Sequence, residues 1–485
     1  MTANPPSVRV EPAIASWSVT ENPQQHDRTA LIERINTRAR RLGTATLDPP
    51  AARLIATGHQ AQLWHPGILA IDIALDLAAK RLGTQRLHLI VDQDANEAWR
   101  LEAPFVDGDE LKVKAALLAD QKPGVPTGYQ PPAEESQLQK RLDGLDPPLT
   151  GLLNQALGDL PGCESLAEQI AVVLARLKKP YAGDLPVMMV SDLAGLPAYE
   201  SVVSRMLDDA HRCATIYNHQ VADHPRAGMT PMVVGRELVE LPLWAVCWNQ
   251  PRRRVFVDLA DSMPICVYDD GEPIDREAVT LLPRALLLTA VMRGYLCDLF
   301  IHGTGGLVYD KVTEAWWRDW AGEELAPMAA VTADVFLDLR APIADPAALR
   351  RAIWRMHHLP HNLDRVLGLD GEAVRRKREL IEHMDDDRGQ ARGRARRRAA
   401  FDELHQINSG LAEQNPEALA SAQRCLSRAR AGVKNTRVAS RRDWCFALYP
   451  PDSLRTLRRT LAGDLGIDPG ADPGSGSGVG VQSSA

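Results

Sequence analysis

The sequence predicts an α/β fold in which the N-terminal two-thirds of the chain contains a parallel β-sheet. An apolar run at 53–56 leads into Thr57-Gly58-His59-Gln60, followed by an apolar-periodic helix at 68–81 and a second apolar run at 87–91. Strand, turn, helix and strand in this order form a βαβ unit, whose crossover places the two strands parallel. The same alternation returns later in the chain, at 187–190 with 199–211 and at 299–301 with 308–320.

Other elements of this region lie before and between those units. Apolar spacing predicts a first helix at 28–42, and residues 105–185 are interpreted as an inserted connecting region. That region is expected to contain a β segment at 111–118, a Pro-rich loop at 123–132 and helices near 135–143 and 163–178. Two antiparallel strands at 237–248 and 254–259 are expected on either side of Asn249-Gln250-Pro251, and a helix entered at Pro283 is expected to reach residue 296.

The composition changes after about residue 345, where the predicted core of residues 1–345 ends. Residues 346–440 contain many Arg and Glu with periodic apolar side chains, and Pro416 separates two long helical stretches. This pattern predicts a helical hairpin or a coiled-coil-like arm. Residues 441–465 are expected to return to the core with a last strand at 444–449, and the Gly-, Ser-, Asp- and Pro-rich residues 466–485 are predicted to be disordered.

Composition and charge argue against several classes of protein. With 485 residues, 45% of them hydrophobic, the chain can bury a large core without disulfide bridges or structural metals. A net charge of −7 argues against a general nucleic-acid or membrane-surface binder. The seven cysteines include no CxxC pair, which is typical of reduced structural thiols. No signal-peptide pattern and no membrane-spanning apolar run is seen, so we expect a cytoplasmic protein.

The first candidate site is TGHQAQLWHPG, residues 57–67, where a predicted strand ends and a helix begins. Ligands of open α/β sheets bind at this carboxyl edge. Gly58 allows a sharp turn, the helix start offers N–H groups to an anion, and the two histidines would help neutralise phosphate charge. The predicted site residues are catalytic His59 and ligand-binding Thr57, Gly58, Gln60, His65 and Gly67. In the alternative interpretation, His59 and Gln60 only cap the turn and His65 only packs against its neighbour.

The second candidate site is Asp92-Gln93-Asp94-Ala95-Asn96-Glu97, at the end of the next predicted strand. Clustered carboxylates at such an edge bind Mg²⁺, orient an amine or act as a base. Asp92 and Asp94 are therefore predicted to be catalytic, and Asn96 is predicted to contact the ligand. The alternative is a solvated loop in which Asp94 or Asn96 caps the following segment.

The third candidate site is the glycine-rich His302-Gly303-Thr304-Gly305-Gly306. Glycines between a strand and a helix can form a nest of backbone N–H groups around a phosphate. The segment is not a P-loop, because no GKS or GKT follows, and its spacing is not GxGxxG. The predicted ligand-binding residues are His302, Gly303, Gly305, Gly306 and Tyr309. The alternative is a plain tight turn.

Three further features are interpreted as structural. His357-His358-Leu359-Pro360-His361 lacks the Glu of HExxH, and Pro360 would disrupt the helix that aligns zinc ligands. The arginine-rich residues 388–398 are expected to form a solvated helix face or turn rather than a nucleic-acid contact. Trp316, Trp317 and Trp320 lie at helical spacing and are expected in the core or at an interface.

The order of these segments resembles that of the bacillithiol biosynthesis cysteine-adding enzyme family, and more closely a related set of uncharacterised bacterial proteins. The family has TGQQ where this chain has TGHQ at 57–60, GEDHD near 92–96 and an IGGPGE-like turn near 303–306. The resemblance spans about residues 50–450. It implies a Rossmann-like core of the nucleotidyltransferase or HUP type, with a connecting insertion and a coiled-coil arm often used for dimerisation. The family's expected activity joins cysteine to glucosaminyl malate.

This resemblance gives the leading hypothesis, a ligase-like enzyme that forms an amide or related bond on a small metabolite. Gly58, His59 and the helix after Gly67 would hold an anionic group. Asp92 and Asp94 would orient or deprotonate the amine or hold a metal ion, and Gly305 and Gly306 would give N–H groups to the acceptor and its oxyanion. A nucleotide, ATP or ADP, is the candidate cofactor, and a homodimer through the helical arm is expected.

Two other functions remain open from the sequence. One is a non-catalytic scaffold that binds a nucleotide or small ligand and self-associates through the arm. The other is a metal-dependent hydrolase that uses His59, His65, Asp92 and Asp94, although no two of these histidines have a fixed helical spacing.

Overall fold

The computed structural model describes residues 5–13, 16–19, 28–49, 53–145, 147–260, 264–339, 341–386, 393–464 and 466–467. These described residues form a mixed α/β structure that is 53% helical, and the chain divides into two compact units. The first unit comprises Met1–Ala103, Lys114–Leu337 and Arg442–Ala485, and the second comprises Pro104–Val113 and Asp338–Arg441. Within the described ranges, no helix has both the length and the apolar character needed to cross a bilayer.

A six-stranded sheet lies at the centre of the first unit. Its strands, in spatial order, are β1 (Ser7–Glu11), β12 (Met328–Asp334), β11 (Leu299–His302), β2 (Leu54–Gln60), β3 (Gln85–Val91) and β6 (Val187–Met189). Strands β12, β11, β2, β3 and β6 are parallel, and β1 runs antiparallel to β12 at one edge. Leu54, Ile55 and Ala56 of β2 are fully buried, as expected for a parallel strand covered on both faces.

The order of these strands reverses beside β2. The chain passes from β2 outward to β3 and β6, and then returns to place β11 and β12 on the other side of β2. The carboxyl ends of β2 and β11 therefore lie next to each other, with Ile301 paired to Thr57. The Thr57 hydroxyl donates a hydrogen bond to the carbonyl oxygen of Ile301 at 2.7 Å, which fixes the two strand ends together.

A second, antiparallel sheet lies in the same unit. Its strands, in spatial order, are β10 (Thr280–Pro283), β7 (Leu238–Val246), β8 (Arg253–Asp258) and β9 (Ile265–Val267). The turn between β7 and β8 contains Asn249 with a φ of 62°, a conformation that Asn tolerates better than most residues. A separate hairpin pairs β4 (Arg100–Asp107) with β5 (Glu110–Leu117).

Ten α-helices are described in the first unit. They are α1 (Thr29–Leu42), α2 (Pro66–Leu82), α3 (Glu135–Asp143), α4 (Pro147–Leu157), α5 (Leu166–Ala182), α6 (Pro197–Asp208), α7 (Ala210–Asp223), α8 (Ala285–Val291), α9 (Gly306–Ala321) and α14 (Pro451–Asp464). Helix α2 is buried on almost every side, because it contacts β2 and β12 as well as α5 and α14. The Arg458 guanidinium of α14 donates to buried Asp76 of α2 at 3.0 Å, which ties the end of the chain to this central helix.

The second unit is mainly helical. Its helices are α10 (Pro346–Leu367), α11 (Glu372–Asp386), α12 (Gly393–Gln414) and α13 (Pro416–Ala439). Leu359, Leu363 and Ala422 form a small core between α10 and α13. The Lys377 ammonium lies 2.6 Å from the Asp364 carboxylate in a buried ion pair that joins α11 to α10.

The predicted βαβ unit over β2, α2 and β3 is confirmed, as are the antiparallel β7 and β8. The strand predicted at 444–449 is wrong, because its buried apolar residues form a 3₁₀ turn at Phe446–Leu448. The helix start predicted at Pro283 is also wrong: Pro283 ends β10, which is an edge strand, where proline is tolerated. Strands β1, β4, β9, β10 and β12 and helices α4, α7 and α14 were not predicted. The predicted disordered tail beyond residue 467 and residues 388–392 of the arginine-rich run lie outside the described residues.

Candidate functional site

A cavity of about 560 Å³ opens where the carboxyl ends of β2 and β11 meet. In open parallel sheets, ligands bind in the crevice formed where the strand order reverses. The walls come from the ends of β2, β3 and β11, from α8 and from the antiparallel sheet. Its polar lining is Gly58, His59, Gln60, Gln93, Asp94, Trp244, Arg252, Arg284, Thr289, His302, Gly303, Gly305, Gly306 and Tyr309. The first and third sequence-predicted sites therefore meet in one cavity, together with Asp94 of the second. We call it the switch-point cavity.

Two arginines in the switch-point cavity were not predicted from the sequence. The guanidinium carbons of Arg252 and Arg284 lie 4.2 and 4.7 Å from the ring centroid of Trp244, within the range of a cation–π contact. Arg252 donates to the carbonyl of Gln93 at 2.8 Å and forms an ion pair with Asp94. Because the antiparallel sheet brings these residues to the cavity, only the tertiary fold reveals them.

The second arginine has a buried partner. Arg284 donates to the Glu240 carboxylate at 2.5 Å, and Glu240 is almost fully buried in β7. Each of the two cavity arginines is thus paired with one carboxylate of the protein, Asp94 for Arg252 and Glu240 for Arg284. Guanidinium groups have five N–H donors, so each still has donors to offer to an anionic ligand.

The two histidines of the first predicted site do not provide positive charge at neutral pH. Burial lowers the pKa of His59 to about 4, with His88 and His65 acting in the same direction. Burial also lowers the pKa of His65. The expectation that these imidazoles neutralise a phosphate is therefore wrong. The two arginines are the source of positive charge in the cavity. Among the described residues, the buried Nδ1 atom of His59 has no hydrogen-bond partner.

Four predicted ligand contacts lie outside the switch-point cavity and have structural partners. Thr57 is buried and bonded to β11, as described above. His65 caps α2, because its Nδ1 accepts a hydrogen bond from the Gly67 N–H at 3.1 Å. The Asn96 amide donates to the carbonyl of Ala61 at 2.8 Å. These contacts hold the strand-to-helix turn in place.

Asp92 belongs to a different cavity from Asp94. It lines a cleft of about 790 Å³ that is also lined by Arg34, Arg38 and Arg41 of α1. Its carboxylate accepts hydrogen bonds from the Ser191 N–H at 3.0 Å and the Ser191 hydroxyl at 2.6 Å. Burial raises the pKa of Asp92 to about 6 despite these bonds. Asp92 therefore does not join Asp94 and His59 in one cavity.

The glycine-rich segment packs around the ring of His302. A Cβ atom at Gly306 would lie 2.6 Å from the Cβ of His302, so only glycine fits there without displacement. His302 Nε2 lies 2.9 Å from Asp310 Oδ2, and Arg293 donates to the same carboxylate oxygen at 2.8 Å. Burial alone would raise the pKa of Asp310, but the hydrogen bond and charge of His302, with the charge of Arg293, lower it. Burial raises the pKa of neighbouring Tyr309 to about 12.

Of the features interpreted as structural, the three tryptophans of α9 are confirmed as core residues. His358 lies in α10 with its ring 4.4 Å from that of Trp354. In the part of the chain that the structure describes, no three His, Cys, Asp or Glu side chains are grouped so that they could hold a metal ion. The ligand set required by the metal-dependent hydrolase hypothesis is therefore not assembled there.

No protein-family model matches this chain, and no curated protein sequence matches it significantly.

Proposed function

We propose that the switch-point cavity binds a small anionic metabolite or nucleotide, and that the protein is a ligase-like enzyme of the bacillithiol cysteine-adding type. One observation carries this proposal: Gly58, which lies in β2 and not in the expected turn, converges with the turn at Gly303–Gly306 and with Arg252 and Arg284 on a single cavity. We further propose that the parallel sheet is a Rossmann-like core of the nucleotidyltransferase or HUP type, with ATP or ADP as the candidate cofactor.

The chemistry of the lining supports an anionic group as the ligand. Hydrogen bonds from guanidinium to phosphate or carboxylate are among the stronger polar contacts in proteins. The N-terminus of α9 starts at Gly306, on the cavity wall, although the Gly306 N–H itself donates to the Gly303 carbonyl oxygen at 2.9 Å. Such a helix start favours negative charge. The arginines and the helix start therefore act on the same ligand charge.

The proposed reaction joins an amino acid such as cysteine to the amine of an amino sugar such as glucosaminyl malate. A free carboxylate does not condense with an amine unaided, so a nucleoside triphosphate is the proposed activating co-reactant. The carboxylate oxygen first bonds to a phosphorus of the triphosphate, and the nucleoside diphosphate or diphosphate leaves. The amine then forms the C–N bond and gives up a proton to a base, while the C–O bond to the phosphate or nucleotide breaks with its electron pair on oxygen. Arg252 and Arg284 would hold the leaving anion, and the N–H groups near Gly305 would stabilise the oxyanion.

The test is a ligand screen followed by a turnover assay. Thermal shift of the full chain is measured with ATP, ADP, AMP, cysteine and glucosaminyl malate, since a ligand at ~100 Kd adds ~2.7 kcal/mol of stability. Stabilisation by a nucleotide or the amino sugar, reduced in His59→Ala and Arg252→Gln, is expected. Product formation from cysteine, glucosaminyl malate and ATP is then followed by mass spectrometry. No stabilisation by any of these compounds would reject the proposal.

A second candidate function is favoured by the position of Asp92. Both oxygens of this predicted catalytic residue are engaged by Ser191, and it lines the other cavity. The alternative is therefore a non-catalytic protein that binds a nucleotide or small ligand in the switch-point cavity and self-associates through a coiled-coil-like arm. Ligand binding without turnover of any amine–acid pair would favour this alternative over the enzyme.

A further inference from the structure

His302 combines a fixed ring with access to the switch-point cavity. It lines the cavity, and its Nε2 lies 2.9 Å from Asp310 Oδ2. An ionised carboxylate only accepts hydrogen bonds, so Nε2 must carry the proton of this contact. In the neutral imidazole, Nδ1 then has the lone pair. Within the described residues, Nδ1 has no hydrogen-bond partner, so it is left to meet a ligand.

Asp310 is held so that it orients this ring. The Asp310 side chain is fully buried, and its Oδ2 also accepts a hydrogen bond from Arg293 at 2.8 Å. Arg293 is itself buried, donates to the carbonyl of Ala326 at 2.7 Å and reaches Glu314 at 2.5 Å. The hydrogen bond from His302 and the charge of Arg293 lower the pKa of Asp310 in spite of burial, which keeps the carboxylate ionised at neutral pH. The Asp310 carboxylate therefore has little freedom to move away from His302.

The ring is also fixed by its neighbours on both sides. The Phe300 ring lies 4.5 Å from the His302 ring, and the Tyr309 ring meets it edge-on at 5.9 Å. Gly306 lies so close that a side chain there would overlap the imidazole. A histidine oriented by a buried carboxylate and locked by packing is the arrangement that general-base catalysis requires.

The residues predicted to be catalytic from the sequence are less suited to this role. Asp92 lines the other cavity, and Asp94 is ion-paired with Arg252. The Nδ1 atom of His59 is buried and unpartnered among the described residues, so no carboxylate orients that ring through it. His302 is the cavity histidine whose second nitrogen is engaged by a carboxylate.

We propose that His302 is the catalytic general base of the switch-point cavity and that Asp310 is its positioning residue. His302 Nδ1 accepts the proton of a bound amine as the C–N bond forms to an acyl group activated by a nucleoside triphosphate. The tetrahedral oxyanion formed in this way then collapses, so that the C–O bond to phosphate or nucleotide breaks and its electron pair leaves on oxygen. This inference rests on the proposed function, because the proton donor is the amine of that reaction.

The first arm of the test needs no substrate. Long-range ¹H–¹⁵N spectra of the full chain with labelled histidine report the tautomer of each ring, and His302→Gln assigns the His302 signals. The Nε2–H tautomer is expected in the wild type and in Asp319→Asn, an exposed control on the same helix. Asp310→Asn should show a mixture of tautomers. An Nδ1–H tautomer of His302 in the wild type would overturn the proposal, as would an unchanged tautomer in Asp310→Asn. If Asp310→Asn does not fold, the wild-type spectrum alone decides.

The second arm measures turnover of cysteine, glucosaminyl malate and ATP by mass spectrometry. We expect His302→Gln and Asp310→Asn to lower kcat by about 10²- to 10⁴-fold, with the KM of each substrate within a few-fold of the wild-type value. A rise in KM without a loss of kcat would show that Asp310 only shapes the site and would overturn the base role. If the tautomers are as expected but the wild type forms no product, the proposed function fails, and the base role fails with it.

Discussion

Asp92 and Asp94 are two residues apart at the end of β3 but line different cavities. Asp92 turns to Ser191, which follows β6, and its carboxyl group is buried there. Asp94 instead meets Arg252 from the antiparallel sheet, at the switch-point cavity. The two carboxylates therefore have separate electrostatic surroundings, and substitutions at each should have different effects.

Asp92 should make the stability of the fold depend on pH. Its folded pKa of about 6 lies above the ordinary value of 3.8, so between these pH values the folded state binds a proton that the unfolded state has lost. Stability therefore falls as pH rises through this window. Relative to Asp92→Asn, the wild type should lose up to about 3 kcal/mol of unfolding free energy between pH 4 and pH 7. Urea denaturation of both proteins at the two pH values checks this, and parallel pH profiles would contradict it.

Arg252 should contribute directly to anion binding. Removing its charge in Arg252→Gln deletes a charge-assisted hydrogen bond, so the affinity for ATP should fall about 10- to 100-fold. The neighbouring Arg253 is a matched control, because it pairs with Asp269 and Asp270 away from the cavity. Isothermal titration of wild type, Arg252→Gln and Arg253→Gln with ATP measures the difference. Equal losses in both variants would point to a general charge effect instead.

Gly305 and Gly306 should respond differently to alanine, although they are adjacent. A Cβ at Gly306 meets the Cβ of His302 at 2.6 Å, whereas a Cβ at Gly305 has no atom within 4 Å. Gly305 also has a helical φ of −63°, which alanine adopts readily. Gly306→Ala should cost about 1–3 kcal/mol of stability, and Gly305→Ala should be close to neutral. Thermal unfolding of the two variants distinguishes them, and equal melting temperatures would be inconsistent with this packing.

Self-association is expected through an exposed aromatic surface on the second unit. Trp354 of α10 is 60% exposed and Phe401 of α12 is 50% exposed, so both aromatic rings are open to contact with a second copy of the chain. Trp354→Glu should convert the proposed homodimer to monomer, as measured by light scattering coupled to gel filtration. Trp248→Glu, at an exposed tryptophan of the first unit, is the control. A monomeric wild type would reject the homodimer.

The parts of the fold that were predictable are those with strong local patterns. Local sequence alone predicts four of these parts: the apolar runs of β2 and β3, the long apolar helix α2 and the Asn249 turn between β7 and β8. Strand β12 was missed because MAAVTAD contains small residues that do not separate strand from helix. The six residues from Trp444 to Tyr449 showed that burial alone does not distinguish a strand from a 3₁₀ turn.

The candidate site was predictable only where it depends on the ends of the parallel strands. Because β2 and β11 are adjacent, Gly58 and Gly306 were brought together as their positions at strand ends implied. Arg252 and Arg284 reach the cavity through the packing of a second sheet, which no local pattern specifies. The cavity that the Asp92 side chain lines likewise depends on its contact with Ser191, which lies 99 residues later in the chain.

The adjacency of β2 and β11 has a consequence for how the chain is synthesised. The hydrogen bond from Thr57 to Ile301 joins residues that are 244 positions apart, so β2 lacks its neighbour on that side until most of the chain has emerged. At about 5–20 residues per second, translation of that interval takes on the order of tens of seconds. Throughout that time the half-built sheet presents an open strand edge, which is a template for aggregation. Slow or interrupted translation between β3 and β11 should therefore lower the yield of native protein more than a delay after β12.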